Sequence, residues 1–353
     1  MPAEQVPVVV LGSAGYVGGE LLRILALHPL LGPVAAVSES KPGSVIADVF
    51  PHLAAAFGAQ TFASTAEAEA LLRSGQRVAL FSALPHGESA GRIAQWIQLA
   101  QANGADLHVV DISADLRLGS AALHEQVYGK PHPAPQLLDT AVCALPELVA
   151  GVPSKVMAHP GCFTTAVTLA CRPLHALALS DGAFFASAIT GSTGSGREPT
   201  ATTHHPWRHG NMRAYSPLTH RHEHEMRRLV SGKEGCAEIL FVPHSGPFAR
   251  GIHATIHVRL KREHSAAELR AALAAFYKNA PFVAVGAAPP ALKDVVGTNR
   301  CHLAVECRGK DAVVFSVIDN LTKGASGGAV QWMNRMLGFA EDTGLKLPGL
   351  GWN

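Results

Sequence analysis

Cys162 stands in the segment Ala158-His159-Pro160-Gly161-Cys162-Phe163-Thr164-Thr165-Ala166. The Pro-Gly pair before it and the apolar stretch after it predict a helix beginning near Thr164, with Thr164 or Thr165 as N-cap. A thiol at a helix N-terminus ionises more readily, and the thiolate is the nucleophile. Such a thiol needs a base, and histidine suits that task at neutral pH. The densest polar constellation, His220-Arg221-His222-Glu223-His224-Glu225, supplies three histidines. Taken alone it reads equally as an acid–base partner, as a metal site using His220 and His224 on one helix face, or as a solvated turn leading into a helix from Glu225 to Val230. Cys162 favours the acid–base reading. No H-E-x-x-H forms, because His224 directly follows Glu223, and no C-x-x-C pair exists, so no metal is assigned. Cys143, Cys171, Cys236, Cys301 and Cys307 lie in apolar or strand contexts and read as structural.

A second constellation opens the chain. Val8 to Leu11 reads as a buried strand, with Pro7 at or before its first residue because proline donates no ladder hydrogen bond. The turn Gly12-Ser13-Ala14-Gly15-Tyr16-Val17-Gly18 follows, then a helix with Leu21, Leu22, Ile24 and Leu25 on its apolar side. Strand, glycine-rich turn and helix are what a dinucleotide pyrophosphate requires: close backbone approach and free N–H groups at a helix N-terminus. Gly12, Ser13, Gly15, Tyr16, Val17 and Gly18 are therefore candidate cofactor contacts. The second strand ends at Ser38-Glu39-Ser40-Lys41. Glu39 suits the 2′-hydroxyl of NAD, whereas Ser38, Ser40 and Lys41 suit a 2′-phosphate. NADP is favoured, and NAD stays open.

These residues need a scaffold. Strands expected at Val34 to Val37, Val78 to Ser82 and Leu107 to Ile112 alternate with helices at Thr65 to Arg73 and Ala90 to Asn103, which argues for a doubly wound parallel sheet. Beyond residue 162 the texture becomes strand-rich. Strands are expected at Gly182 to Ile189, Glu238 to Pro243, Ile252 to Leu260, His302 to Arg308 and Ala312 to Ile318. A covering helix is expected from Ser265 to Lys278, and Pro173 should end or kink the helix after Cys162. The expected fold is an α/β Rossmann domain plus an α+β catalytic domain with a mixed or antiparallel sheet. The last helix should run from Gly327 to Phe339.

A chain of 353 residues exceeds one ordinary core, and 48% hydrophobic against 16% charged residues supports two. A net charge of +2 without a long basic block argues against a nucleic-acid track. The opening residues carry no positive n-region, and the apolar run from Val6 to Gly12 is too short for a signal peptide or a membrane span. A cytoplasmic protein is expected. Six cysteines are too dilute for a disulfide scaffold.

Gly12 to Gly18, Leu84-Pro85-His86-Gly87, Ser113-Ala114-Asp115-Leu116-Arg117, His159-Pro160-Gly161-Cys162, His220-Arg221-His222 and Asp319-Asn320-Leu321-Thr322-Lys323-Gly324-Ala325 together resemble the N-acetyl-gamma-glutamyl-phosphate reductase family, in its order and over nearly the whole chain. The wider group includes aspartate-semialdehyde dehydrogenase. The resemblance implies a semialdehyde-dehydrogenase-type architecture: a dinucleotide-binding domain of residues 1–161 with 326–353, and a catalytic and dimerisation domain of residues 162–325. It implies that Cys162 attacks an acyl phosphate and expels phosphate, that NADPH reduces the thioester, and that His222 is the acid–base group. Leu84, Pro85 and Asn320 would contact the cofactor. Arg117 would hold the phosphate, since a guanidinium fork suits that role. Gly194, Arg197 and His220 are further candidates for contact with the small-molecule substrate, and a homo-oligomer (dimer or tetramer) is implied. The family pattern H-R-H-x-P-E departs here at His224. Thr203-His204-His205-Pro206 resembles a related branch acting on a carrier-linked aminoadipyl phosphate in lysine synthesis. A non-catalytic NAD(P)-binding sensor is the remaining alternative.

Overall fold

The computed structural model describes residues 5–232 and 235–351. They divide into two compact units, residues 5–160 with 325–346 and residues 161–324 with 347–351. The closing residues 347–351 thus fall in the second unit, where the expected domain division put them in the first: Leu350 lies beside Gly297, and Gly349 beside the backbone of Asp294. The other residues of the expected spans, 1–4, 233–234 and 352–353, lie outside the described residues.

The first unit is built on six parallel strands: β1 (Val6–Leu11), β2 (Leu31–Val37), β3 (Arg77–Ser82), β4 (Asp106–Asp111), β5 (Val142–Cys143) and β6 (Val156–Ala158). Their order is β2-β1-β3-β4-β6-β5. β1 is buried along its whole length, as its unbroken apolar run requires. Pro7 sits one residue inside β1 rather than at its start, and a register irregularity between Val6 and Val8 absorbs its missing N–H. Successive strands lie on opposite sides of β1, so the order reverses there. The crevice outside the carboxyl ends of β1 and β3 is where ligands bind in such sheets. The helix Ser89–Asn103 buries Ile93, Trp96 and Ala100 at helical spacing against the sheet. The expected helix from Thr65 is shorter, Thr65–Glu69, capped reciprocally by Ser64 and Glu67. The helix Gly327–Met336 completes this unit, and buried Trp332 donates its indole N–H to the Ala144 carbonyl at 2.8 Å.

The second unit carries β7 (Ser180–Thr190), β8 (Arg213–Ala214), β9 (Ile239–Ser245), β10 (Ile252–Leu260), β11 (Val283–Val285), β12 (Cys301–Arg308) and β13 (Asp311–Ile318) in the order β11-β12-β13-β10-β7-β9-β8. The sheet is mixed: β7–β9 and β11–β12 pair parallel, and the other neighbours pair antiparallel. Ile252, Ala254, Ile256, Val258 and Leu260 alternate into the core along β10. The helix Cys162–Ala176 packs on β10 and β13. Pro173 does not end it. A proline there removes the bond to the carbonyl four residues back, and Tyr277 donates its hydroxyl to that Leu169 carbonyl at 2.7 Å. The helix Ala266–Phe276, with Ser265 and Glu268 as a capping box, covers the same sheet.

Candidate active site

Cys162 is the first residue of its helix, and Gly161, not Thr164 or Thr165, is the N-cap. The two threonines serve otherwise. Thr165 donates both its N–H (2.8 Å) and its hydroxyl (3.1 Å) to the Gly161 carbonyl. Thr164 donates its hydroxyl to Glu225 Oε2 at 3.0 Å, and the same oxygen accepts the Gly161 N–H at 2.8 Å. Glu225 is only 1% exposed, so a buried carboxylate clamps the turn that presents the thiol. It also favours the helix N-terminus electrostatically.

Two glycines make the thiol's surroundings possible. A Cβ on Gly161 would lie 2.4 Å from Cε1 and Nε2 of His222. A Cβ on Gly324 would lie 2.7 Å from Cβ of Cys162. Both positions therefore demand glycine for packing. The 319–324 turn is fixed by Asp319, whose buried carboxylate accepts Arg250 in a fork (3.0 and 3.1 Å) and the N–H groups of Gly297, Leu321 and Thr322.

His222 starts the helix His222–Ser231, three residues earlier than expected at Glu225, so all of His222, His224 and Glu225 are helical. His222 and Glu225, three apart, are buried on one face, and His224 is exposed on another. The His222 N–H donates to Nδ1 of His220 at 3.2 Å. Burial, reinforced by the charge of Arg221, lowers the His220 pKa to about 4. His220 is therefore neutral at neutral pH and keeps an acceptor nitrogen for its neighbour. His222 is the histidine whose ring lies against the residue preceding Cys162, and the His220 ring meets it edge to face at 4.7 Å between centroids. Among the described residues, no group of three or more His, Cys, Asp or Glu is disposed to hold a metal.

A cavity of about 460 Å³ opens here, lined by Cys162, Thr190, Gly194, Tyr215, Arg221 and His222 among others. Burial, with the Cys162 sulfur as a second cause, pushes the Tyr215 phenol pKa up, so it stays a proton donor. Three of the remaining thiols, Cys143, Cys171 and Cys301, are buried, and burial pushes the Cys171 thiol up. Cys236 is exposed rather than packed in the core, and Cys307 is half-buried.

In the first unit, the turn after β1 meets the requirements of a dinucleotide. Gly12 has φ +72°, and a Cβ there would stand 2.7 Å from the Ala83 carbonyl oxygen, so the loops after β1 and β3 touch. A Cβ on Gly18 would strike the Ser13 backbone at 2.5 Å, whereas one on Gly15, the N-cap of Tyr16–Leu25, would make only an ordinary 3.8 Å contact with the Gly12 carbonyl oxygen. That helix has no acidic residue in its first turn to oppose an anion at its N-terminus. Ser13 is tied to the end of β2, donating its hydroxyl to the Val37 carbonyl at 2.7 Å. Tyr16 is exposed, and Val17 accepts a hydrogen bond from Ser326 at 2.9 Å. Leu84 lies with Gly12, Glu39 and Arg92 around a small recess, with Pro85 exposed beside it. Ser38 is buried, Ser40 and Lys41 are exposed, and Glu39 is ion-paired with Arg92.

Comparison with known proteins agrees with this geometry. The family model described as the semialdehyde dehydrogenase NAD binding domain matches residues 7–154, and that described as the semialdehyde dehydrogenase dimerisation domain matches residues 162–320. An N-acetyl-gamma-glutamyl-phosphate reductase of Dehalococcoides mccartyi is 37% identical over 96% of each chain. One from Methanopyrus kandleri is 38% identical over 98% of this chain and 99% of its own.

The chain belongs to the N-acetyl-gamma-glutamyl-phosphate reductase family.

An Aeropyrum pernix relative, 35% identical over 99% of each chain, carries the name of a LysW-aminoadipate and LysW-glutamate phosphate reductase. The fold is also that of aspartate semialdehyde dehydrogenase II from Vibrio cholerae, at a TM-score of 0.66 and 14% identity over 95% of this chain and 99% of that one. Against the family pattern H-R-H-x-P-E, His224 at the proline position leaves the helix intact: it sits in the first turn, where proline is tolerated but not needed.

The remaining expected residues fall in different places. Gly194 and His220 line the cavity. Arg197 is exposed and does not line it. Asn320 belongs to the second unit, where its amide is engaged at both ends: Oδ1 accepts the Gly251 N–H at 2.7 Å, and Nδ2 donates to Thr193 at 3.0 Å. Arg117 belongs to the first unit, is buried, and donates to the carbonyls of His159 (3.0 Å) and Ile112 (2.6 Å). Sequence reasoning passed over Glu225, Tyr215 and Arg213. Glu225 had a usable signal, a carboxylate one turn after His222 on the same face. Arg213 and Tyr215 had none, because only the pairing of β8 with β9 brings them to the wall.

Proposed function

We propose that this chain reduces N-acetyl-gamma-glutamyl phosphate to N-acetylglutamate semialdehyde with NADPH, in arginine biosynthesis in the cytoplasm. The observation that carries the reading is Cys162 at a helix N-terminus, in a cavity, with His222 seated against Gly161. The Cys162 thiolate attacks the acyl carbon, the bond to the phosphate oxygen breaks, and phosphate leaves with that bond's electron pair. When bound, the reduced nicotinamide supplies a hydride to the thioester carbon. His222 takes the thiol proton in the first half-reaction and protonates the developing alkoxide in the second. Collapse of the hemithioacetal releases the aldehyde and regenerates the thiol. Arg117 is proposed to contribute to phosphate binding, and Gly194 and Arg197 to contact with substrate. Asn320 is proposed to act at the nicotinamide through the turn it anchors.

NADP is the proposed cofactor. Ser38, Ser40 and Lys41 offer donors and a cation at the end of β2, and the pairing of Glu39 with Arg92 offsets the one acidic charge that would repel a 2′-phosphate. A homo-oligomer is proposed through the second sheet's far face. There Phe185, 55% exposed, lies opposite His257, and Thr255 opposite Phe315. The decisive test is phosphate-dependent NADP reduction with N-acetylglutamate semialdehyde, abolished in Cys162→Ala; full activity in that variant would overturn the mechanism. A preference in kcat/KM for the aminoadipyl over the glutamyl aldehyde would move the chain to the branch that the Aeropyrum relative is named for.

A further inference from the structure

We propose that Arg213 holds the α-carboxylate of the substrate and thereby selects an acyl group that carries one. The inference rests on the acyl-phosphate reductase reading and adds a specificity residue to it.

The cavity wall includes two arginines, Arg213 and Arg221, and no acidic side chain. Arg213 makes no hydrogen bond or ion pair through its side chain among the described residues. Its guanidinium instead lies over the rings of Trp207 (5.7 Å) and Tyr215 (5.9 Å), which fix its plane without neutralising it. Arg208 stands close by, anchored to the Ser245 hydroxyl on the same wall, and its Nε is buried with no hydrogen-bond partner. Burial and the charge of Arg213 lower the Arg208 pKa. Two guanidinium groups that close, with no carboxylate between them, form a site for an anion that arrives with the ligand. Thr190, whose buried hydroxyl also has no hydrogen-bond partner among the described residues, adds a donor on the same cavity.

The chemistry of the acyl chain decides which anion. A cluster of rings stands beside the thiol. Phe163, the residue after Cys162, lies against both His220 (5.7 Å between centroids) and His222 (6.2 Å), and His220 lies against Tyr215 (5.6 Å). Arg213 lies over the Tyr215 ring, on the wall of the same cavity as Cys162. The acyl phosphate must be at the sulfur. In a γ-glutamyl chain the α-carboxylate carbon is four bonds further on, about 5 Å from the acyl carbon at ordinary bond lengths. It is the anion left for Arg213, since the phosphate sits at the reacting end, where Arg117 is the proposed contact.

The test compares two aldehydes in the phosphate-dependent direction: N-acetylglutamate semialdehyde and 4-acetamidobutanal, identical except for the carboxylate. In the native enzyme the first is expected to exceed the second in kcat/KM by on the order of a hundredfold, the discrimination a charge-assisted pair supplies. In Arg213→Gln this ratio should fall to within a few-fold of unity, through KM of the first aldehyde, with KM for phosphate unmoved. Arg213→Lys should recover part of the ratio, which a merely structural defect would not allow. A ratio unchanged in Arg213→Gln, or a rise in KM for phosphate instead, would overturn the assignment. Absence of turnover of either aldehyde by the native enzyme would overturn the acyl-phosphate reductase reading itself.

Discussion

The two functional regions are made in different ways. The turn after β1 is a backbone device: Gly12 and Gly18 allow the main chain to close on Ala83 and on Ser13, and the helix N-terminus does the rest. The cavity beside Cys162 is a side-chain device, assembled from the helix start at 162, the end of β7, the segment 213–222 and Ser245. A backbone device is compressed into seven consecutive residues. A side-chain device is distributed over more than eighty, and its geometry depends on which strands pair. The first should fail through glycine substitution at one turn, and the second through any residue that displaces a ring or a clamp.

Gly161→Ala is the strongest way to break the second region alone. Its methyl group would occupy the space of the His222 ring, so kcat should fall by on the order of a thousandfold, as when an acid–base group is lost. Cofactor binding, measured by fluorescence titration, should persist. Asp319→Asn removes the charge from a buried hub that holds Arg250 and three backbone N–H groups, and should lower stability by about 3 kcal/mol in urea unfolding. Gly18→Ala is the converse break: KM for NADP should rise about tenfold, while the alkylation rate of Cys162 stays unchanged. Arg92→Ala uncovers Glu39, and because that pair is exposed the effect is small, a shift of about threefold from NADP toward NAD in the ratio of kcat/KM values.

The smallest effect is in pH dependence. The His220 pKa is lowered to about 4 from 6.5, so the unfolded chain binds the proton more tightly than the folded one. The stability this contributes is present above pH 6.5 and is lost as pH falls through about 4. His220→Asn, which keeps an acceptor toward the His222 N–H, should flatten the fall in melting temperature between pH 7 and 4.

How much of this was legible in the sequence follows from the same contrast. The parallel sheet, the glycine turn and the strands of the second unit were readable because hydrophobic period and glycine placement are local. Cys162 was readable as a candidate nucleophile beside a helix start, but that start was set two residues late: the threonines looked like caps, whereas the cap is a glycine and the clamp is Glu225, more than sixty residues away. Pro173 looked like a terminator because the hydroxyl of Tyr277, which satisfies the carbonyl it frees, is distant in sequence. The early start of the His222 helix was hidden by polar residues that suggested a turn, although His222 and Glu225 share its buried face. Arg213 was invisible for the reason that makes it interesting, since a two-residue edge strand places it.

The most direct test of the thioester mechanism is mass spectrometry of the enzyme mixed with NADP and N-acetylglutamate semialdehyde in the absence of phosphate, quenched in acid and digested. An N-acetylglutamyl adduct on the Cys162 peptide, formed with one equivalent of NADPH and discharged when phosphate is added, is the expected result. A burst of NADPH with no adduct on Cys162, or with the acyl group on another residue, would contradict it.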